Sequence, residues 1–368
     1  MFGAASAGRS ASRRHRPRDS TGGVIRSDLN ANLIEVEDAW WMPGSRSCRL
    51  GVSFGPESNL YSFPRGHPMS KARSQLFEAS IRELAQSSGK EKVTIVSPVR
   101  ATEQDVLLFH TRAYVDFVRE SSEIGSGYLD YGDTPSFKGV FEASLFPVGS
   151  TLNGLELVLK GDFDHFFNPI GGLHHARRDR AGGFCVFNDA AIAICNLLEK
   201  GTGRIAYVDI DAHHGDGVFY AFESDPRVII GDIHEDGRFL YPGTGSESET
   251  GTGKAEGTKL NVPMPPRAGD EEFRRAFDRV EAFVRGFEPE FILFQCGADS
   301  LEGDPITQLG YTAAAHAYAT AKLHDLAHEV CGGRILAMGG GGYNPSNVSA
   351  AWTAVAKGLA GIGSAKPT

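Results

Sequence analysis

The middle of the chain joins an apolar run to a dense group of acids and histidines. Residues 205–208 have the length and β-branched character of a strand that is buried on both faces of a parallel sheet. The next eight positions carry five ionisable residues, which are Asp209, Asp211, His213, His214 and Asp216. Because open α/β sheets bind their ligands at the carboxyl ends of the strands, we expect these side chains to line a functional site.

Asp211 and His213 are the best candidates for metal ligands in this group. They are two residues apart, so their side chains point the same way from an extended segment and can meet at one cation. A carboxylate oxygen and an imidazole nitrogen are both good zinc ligands. A salt-bridged strand end or a helix cap is the alternative, but the cost of burying several unpaired charges favours a metal site.

A second apolar run, residues 291–296, leads to another acid, Asp299. Taken alone, an aspartate at the end of a strand is more often a helix cap. Together with Asp211 and His213, Asp299 would make a set of three ligands and leave one position open. That pattern is typical of catalytic rather than structural zinc sites.

Two glycine-rich loops carry the remaining candidates. His174 and His175 could be metal ligands, or proton-transfer groups held by carboxylates such as Asp209 and Asp216; a pair of surface histidines is the alternative. Tyr343 follows four glycines, and its phenol could donate a hydrogen bond to an oxyanion. This loop lacks the Lys and Ser/Thr of a phosphate-binding P-loop, and a merely flexible loop is its alternative.

These strand ends can meet only if the chain forms a parallel sheet. Apolar strand-like runs alternate with stretches of helical spacing, which predicts an α/β fold with helices on both faces of the sheet. The strand-like runs are residues 49–54, 93–97, 165–170, 204–210, 228–233, 260–264, 291–296 and 334–338. Helical spacing covers residues 70–87, 141–159, 188–200, 270–287 and 311–330. We predict a single domain over residues 46–368.

The composition narrows the class of protein. With 368 residues, 41% of them hydrophobic and 23% charged, the chain can form one large α/β domain. A net charge of −9 argues against a nucleic-acid-binding body. The five cysteines include no C-x-x-C pair, which fits a reducing, cytoplasmic compartment and indicates no cysteine zinc site. No apolar run approaches the roughly 20 residues that span a bilayer, so no membrane partner is expected.

Residues 1–45 differ from the rest of the chain. Their first 19 positions carry five arginines among serine, alanine and glycine with a single acid, and they show no apolar periodicity. We predict a disordered extension. An organelle transit peptide and a tail that touches nucleic acid are the alternatives.

Several motifs, in this order along the chain, resemble the zinc-dependent histone deacetylase superfamily, which includes acetoin-utilisation proteins and acetylpolyamine amidohydrolases. They are GGLHHARRDRAGGFCVFNDAA at 171–191, YVDIDAHHGDG at 207–217, PGTG at 242–245, CGADSLEGDP at 296–305 and GGGGY at 339–343. The resemblance runs from about residue 50 to residue 361. It implies the arginase–deacetylase fold, a single three-layer αβα domain with a parallel sheet of about eight strands.

The resemblance also implies metal sites. Asp211, His213 and Asp299 would bind zinc, although one histidine and two carboxylates suit iron(II) as well. A potassium ion would lie behind the zinc, bound partly by backbone oxygens of Asp209, Asp211 and His213. Asp232 stands where several relatives have a serine ligand to that ion.

Three residues would act directly in the reaction. His174, oriented by Asp209, would serve mainly electrostatically. His175, oriented by Asp216, would be the general base and acid. Tyr343 would donate a hydrogen bond to the substrate carbonyl.

The substrate would lie in a tunnel. Gly183 and Phe184, with Tyr241 across from them, resemble the walls that grip an aliphatic chain. Asp133 resembles the aspartate at the rim that holds the substrate backbone or amine. Arg73 resembles the arginine of an inner channel through which acetate leaves.

We therefore predict a zinc-dependent deacetylase that removes an acetyl or other acyl group from an amine. Polyamine-selective members tend to carry an acid at the tunnel mouth and a loop insertion. Here Ile306 and Thr307 follow Asp304-Pro305, and residues 114–133 show no long insertion, which favours an acyl-lysine peptide or protein. An acetylpolyamine or other small acyl-amine is the alternative, because acids near the rim could attract a cation. These acids are Glu120, Glu123, Asp130 and Asp133.

Two other functions fit the sequence less well. A dimanganese ureohydrolase needs further bridging carboxylates, but Gly215 and the pair Ser300-Leu301 stand where acids are expected. A non-catalytic acyl-lysine binder would be expected to lack a metal ligand or Tyr343. No oligomeric state is predicted.

Overall fold

The structure is a computed structural model that describes residues 47–64, 66–89 and 91–362. The predicted extension at residues 1–45 lies outside this part of the chain. The described residues form eight strands: β1 (Leu50–Ser53), β2 (Val93–Val96), β3 (His165–Asn168), β4 (Ile205–Asp209), β5 (Val228–Glu235), β6 (Lys259–Met264), β7 (Phe291–Gln295) and β8 (Ile335–Met338). Each coincides with one of the predicted strands to within two residues, so the predicted strands are confirmed.

Nine α-helices accompany these strands in the described residues: α1 (Ala72–Ser88), α2 (Glu103–Val106), α3 (Arg112–Ile124), α4 (Val140–Lys160), α5 (Asp189–Glu199), α6 (Asp216–Phe222), α7 (Asp270–Gly286), α8 (Ala313–Val330) and α9 (Pro345–Leu359). Helical spacing had indicated α1, α4, α5, α7 and α8. The start of α9 has a recognisable signal, since Asn344 caps the Ser346 N–H and proline is the first helical residue. The described chain contains no helix that is both long enough and apolar enough to cross a membrane.

All eight strands lie in one parallel sheet in the order β2-β1-β3-β8-β7-β4-β5-β6. Their carboxyl ends therefore share one edge, and the register decides which side chains lie level there. Asp209 at the end of β4 pairs with Gln295 of β7 on one side and with Asp232 of β5 on the other. The polar ends of three neighbouring strands thus meet at the centre of the sheet.

Helices cover both faces of the sheet, as the uninterrupted apolar strands require. Alternate residues of each strand point into different cores: Ala206 and Val208 into one, Ile205 and Tyr207 into the other. The first core contains apolar residues of α1, α7, α8 and α9. The second contains those of α2 to α6. This is the predicted single α/β domain with three layers.

Candidate active site

Four loops meet at the carboxyl edge of the sheet. They follow β3, β8, β7 and β4, which are neighbours in that order, so that sequence-distant loops come together. The loops carry, respectively, His174 and His175, Tyr343, Asp299, and the pair Asp211 and His213. The topology thereby collects the candidates that the sequence pattern had singled out.

Asp211, His213 and Asp299 form a compact group of donor atoms. His213 Nδ1 lies 3.0 Å from Asp211 Oδ1 and 3.0 Å from Asp299 Oδ2. One donor atom of each residue lies within 4.8 Å of the other two, and all three side chains are buried. Two carboxylate oxygens and one imidazole nitrogen at this spacing can close around a single cation.

The surrounding backbone leaves room for these carboxylates. A Cβ on Gly297 would lie 2.0 Å from Asp211 Oδ2, and one on Gly341 would lie 2.1 Å from Asp299 Oδ2. Asp211 Oδ2 accepts hydrogen bonds from Gln295 Nε2 at 2.8 Å and from the Gly341 N–H at 2.7 Å. Glycine at both positions is therefore a steric requirement of the site.

The charges of Asp211, His213 and Asp299 favour the binding of a cation. Burial opposes protonation of His213, but hydrogen bonds to Asp211 and Asp299 outweigh it and raise its pKa to about 10. Burial, followed by the charge of Asp211, raises the pKa of Asp299 to about 7. Two buried carboxylates thus share one positive group, and a divalent ion would satisfy the same electrostatic demand. The donor set fits zinc or iron(II).

His174 and His175 each pair with a buried carboxylate. His174 Nδ1 lies 2.8 Å from Asp209 Oδ2, and His175 Nδ1 lies 2.7 Å from Asp216 Oδ1. The Nε2 atoms of the two rings are 3.1 Å apart. Both histidines are therefore oriented through Nδ1.

The pKa values of the two rings shift in opposite directions. Burial acts to lower the pKa of His174, but the charges of Asp209 and Asp211 outweigh it and raise the value to about 9. Burial lowers the pKa of His175 to about 4, and the charge of His174 acts in the same direction. The surroundings thus favour a proton on His174 over one on His175.

The two orienting carboxylates are held by further groups. The Tyr207 hydroxyl donates to Asp209 Oδ2 at 2.7 Å. The guanidinium of Arg177 donates to Asp216 Oδ2 at 2.7 Å. These contacts fix the carboxylates and, through them, the imidazole rings.

Aromatic rings lie next to His175 and Tyr343. The Tyr241 ring centre lies 5.0 Å from that of His175, and the Phe184 ring lies 5.7 Å from that of Tyr343 in an edge-to-face contact. Gly183 has a φ of +54°, and a Cβ there would lie 2.2 Å from His175 Cδ2. Tyr241 and Gly183 thus lie beside His175, Phe184 lies beside Tyr343, and Gly183 has no room for a side chain.

Arg73 contacts the loop that carries Tyr343. Its guanidinium donates to the Gly342 carbonyl at 2.8 Å and to the Gly340 carbonyl at 2.6 Å, and it lies 5.5 Å from the centre of the Tyr343 ring. It also lines a cavity of about 20 Å³, which is large enough for a water molecule. This position is compatible with the predicted inner channel.

Asp133 lies on an exposed loop that is connected to the tunnel wall. Thr134 Oγ1 donates to Asp133 Oδ1 at 3.3 Å and accepts a hydrogen bond from the Phe184 N–H at 3.1 Å. Burial, followed by the interaction with Asp130, raises the pKa of Asp133 to about 7. Its charge therefore changes within the physiological pH range.

Three further residues support the site and were not singled out from the sequence. The buried carboxylate of Asp189 accepts hydrogen bonds from the Gly172 and Leu173 N–H groups, which lead into His174. Asn188 Nδ2 donates to the carbonyl of His174, and Gln295 Nε2 donates to Asp211. Asn188 and Asp189 belong to the motif at 171–191, so the signal was present without an assigned role.

The carboxylate of Asp232 pairs with two groups of the same chain. Its Oδ1 lies 2.6 Å from His234 Nδ1, and its Oδ2 accepts a hydrogen bond from the Gly215 N–H at 2.9 Å. Burial opposes protonation of His234, but the charge of Asp232 outweighs it and raises the His234 pKa. His234 and the Gly215 N–H thus engage both oxygens of this carboxylate, and the potassium site stays a prediction.

The chain resembles known proteins over most of its length. Residues 67–359 match the family model of the histone deacetylase domain. The chain is 38% identical over 299 residues to the acetoin utilization protein AcuC of Bacillus subtilis, covering 79% of this chain and 76% of that protein. It is 37% identical over 303 residues to a probable deacetylase of Archaeoglobus fulgidus, covering 80% and 81% of the two chains.

Solved structures also resemble the chain over most of its length. An HDAC homologue from Aquifex aeolicus superposes with a TM-score of 0.75 at 31% identity, covering 85% of this chain and 84% of that one. The HDA15 HD domain superposes with a TM-score of 0.78 at 29% identity, covering 86% and 89%. Fold and site define a hydrolase with the arginase–deacetylase fold. Within that class, the chain belongs to the histone deacetylase family.

Proposed function

We propose that this member of the family is a zinc-dependent deacetylase that hydrolyses the amide of an acylated lysine side chain. The observation that carries the proposal is the group of Asp211, His213 and Asp299 next to two histidines that each pair through Nδ1 with a buried carboxylate. When bound to these three ligands, zinc would polarise the amide carbonyl and lower the pKa of water toward about 7. Iron(II) suits the same donors.

His175 is the general base in this proposal. It is neutral near pH 7, and Asp216 engages Nδ1, so Nε2 is the atom that accepts the proton of the attacking water. The same nitrogen then returns the proton to the departing amine. His174 keeps its positive charge because two carboxylates raise its pKa, and that charge stabilises the anionic transition state.

Tyr343 is the hydrogen-bond donor to the substrate oxygen. Burial raises the pKa of its phenol well above the ordinary value, so the hydroxyl keeps its proton at every working pH. The Tyr343 N–H donates to Asp304 Oδ2 at 2.8 Å, which holds the backbone of this loop. A preorganised donor of this kind contributes about 10²–10³-fold to turnover.

The walls around His175 favour an extended aliphatic chain. Phe184 and Tyr241 offer aromatic faces, and the bare backbone of Gly183 packs directly against the His175 imidazole. Asp133 at the rim would accept hydrogen bonds from the substrate backbone. An acetylpolyamine is the second candidate, because Asp130 and Asp133 place carboxylates where its distal ammonium would lie.

The test measures acetate release from an acetyl-lysine peptide and from N-acetylspermidine by the zinc-loaded protein and its Tyr343→Phe variant. We expect turnover of the peptide and a loss of about 10²–10³-fold in kcat for the variant, with metal content unchanged. Faster turnover of N-acetylspermidine than of the peptide would replace acyl-lysine with acetylpolyamine as the proposed substrate class. Undiminished turnover in the variant would refute the role of Tyr343, and no turnover of either substrate would refute the proposal.

A further inference from the structure

Four potential metal ligands converge at the edge of the sheet opposite the candidate active site. Cys48 lies two residues before β1, and His165 is the first residue of β3, level with Leu50 of β1. His324 and His328 are one helical turn apart near the end of α8. These four residues come from three separate parts of the chain.

Their donor atoms lie at distances suited to one ion. Cys48 Sγ is 3.4 Å from His324 Nε2 and 3.2 Å from His328 Nε2. One donor atom from each of the four side chains lies within 4.8 Å of all the others. Tetrahedral zinc with ordinary bond lengths holds its sulfur and nitrogen ligands about 3.3–3.6 Å apart. The sulfur contacts therefore come close to that geometry.

His165 supplies an independent observation. The side chain is fully buried, and neither ring nitrogen has a hydrogen-bond partner among the described residues. The centre of its ring lies 5.0 Å from that of His324 and 5.4 Å from that of His328. A buried imidazole without a partner destabilises the folded chain, and a metal ion would provide the missing contact.

The backbone beside the cluster leaves space for its side chains. Gly333 has a φ of +84°, and a Cβ at that position would lie 2.6 Å from His328 Cε1. Glycine therefore leaves space for the imidazole. A thiol hydrogen bond would account for the contacts of Cys48, but it leaves His165 without a partner.

We propose that Cys48, His165, His324 and His328 form a second metal site, which binds Zn²⁺ with four protein ligands. One thiolate and three imidazoles suit zinc, and four protein ligands are the pattern of a structural rather than a catalytic site. Binding releases the thiol proton of Cys48 to solvent. The ion ties the segment before β1 to β3 and to α8. The site does not depend on the function proposed for the other edge.

Metal content tests the site directly. Zinc per chain is measured after dialysis for the wild type and for the Cys48→Ser, His328→Gln and Asp299→Asn variants. Cys331→Ser is the matched control, because Cys331 is a buried cysteine next to α8 whose sulfur lies near the Arg334 carbonyl, outside the cluster. We expect Cys48→Ser and His328→Gln each to lose one zinc per chain and Cys331→Ser to lose none.

Cobalt binding distinguishes the two metal sites, which lie at opposite edges of the sheet. Only the proposed second site offers sulfur, so Co²⁺ bound there should show a thiolate-to-metal charge-transfer band, which Asp211, His213 and Asp299 cannot produce. We expect the band in the wild type, in Asp299→Asn and in Cys331→Ser, and its loss in Cys48→Ser.

The result that overturns the proposal is equally specific. Zinc content unchanged in both Cys48→Ser and His328→Gln, or cobalt-loaded wild type without a thiolate band, would exclude the site. If Cys48→Ser does not fold, the zinc content of His328→Gln tests the site, because His328 is only half-buried. Asp299→Asn that lacks activity but keeps the cobalt band would show that the two sites are separate.

Discussion

His174 and His175 are neighbours in the sequence, yet their surroundings give them different protonation states. Two carboxylates face His174 and raise its pKa to about 9, whereas His175 lies beside that positive charge and its pKa falls to about 4. A single proton added to the pair therefore belongs to His174. The division between an electrostatic and a proton-accepting role follows from this difference.

Replacing Gly183 with alanine should displace His175. The added Cβ would lie 2.2 Å from the imidazole, so we expect kcat to fall at least about tenfold. Gly253→Ala is the matched control, because Gly253 has a similar φ of +58° and open space around it. Gly253→Ala should lose about 1 kcal/mol of stability from the left-handed backbone, Gly183→Ala should lose at least as much, and only Gly183→Ala should lose activity. Equal activity in the two variants would contradict the assignment.

The pH dependence of KM should report on Asp133. Its pKa is raised to about 7, so the carboxyl gains a proton and loses its charge as the pH falls below that value. We expect KM for N-acetylspermidine to rise by up to about fivefold between about pH 8 and pH 6, the limit for an exposed charge pair of about 1 kcal/mol. Asp133→Asn should abolish the rise, and Glu123→Gln should preserve it. A rise that persists in Asp133→Asn would exclude this role.

At the scale of elements, the start of α5 positions the loop that carries the histidines. Asn188 caps the helix by accepting from the Ala191 N–H at 2.8 Å, and its Nδ2 donates to the carbonyls of His174 and Ala176. Asp189, the first helical residue, accepts from the Leu173 N–H at 2.8 Å and from the Thr151 hydroxyl at 2.6 Å. One helix start thus fixes the backbone on both sides of the catalytic pair.

Asp189→Asn should weaken this attachment. The amide places a donor where the carboxylate accepts from backbone N–H groups, which should cost about 1–3 kcal/mol in the free energy of unfolding. We also expect kcat to fall about 10–100-fold, because the loop no longer holds His174 in place. Urea denaturation and acetate release measure the two effects. Asp179→Asn, an exposed change in the same loop, should leave both quantities unaltered, and equal behaviour of the two variants would contradict the role of Asp189.

At the scale of the whole molecule, the sheet separates two groups of potential metal ligands. Asp211, His213 and Asp299 lie at the carboxyl edge, whereas Cys48 and His165 lie at the amino ends of β1 and β3. Sites on opposite edges share no ligand, so their contributions to stability should be additive. Each would bind metal in the folded state only.

Zinc should therefore stabilise the protein through two independent sites. A metal concentration of 100 times Kd adds about 2.7 kcal/mol per site, and Tm should rise accordingly. We expect a rise in both Cys48→Ser and Asp299→Asn, each of which keeps one site, and none in the double variant. Calorimetry with and without zinc measures the shift. An undiminished rise in the double variant would show that neither group of residues holds the ion.

The sequence by itself determined the strands and the set of site candidates. Apolar runs mark all eight strands, and the acid–histidine pattern after β4 is local, because two residues in an extended segment point the same way. The order of motifs was sufficient to indicate the family. The end of each apolar run and the polar residues that follow it involve only neighbouring positions. They can therefore be read directly from the sequence.

Only the tertiary structure decided which distant groups meet. Cys48 and His328 are 280 positions apart, and no C-x-x-C pair announces their contact, so the sequence pattern indicated no cysteine zinc site and only the fold brings these side chains together. The opposite pKa shifts of His174 and His175 likewise depend on burial and on partners from other strands and loops. Sheet order and register create these contacts, and both arise only when the whole chain packs.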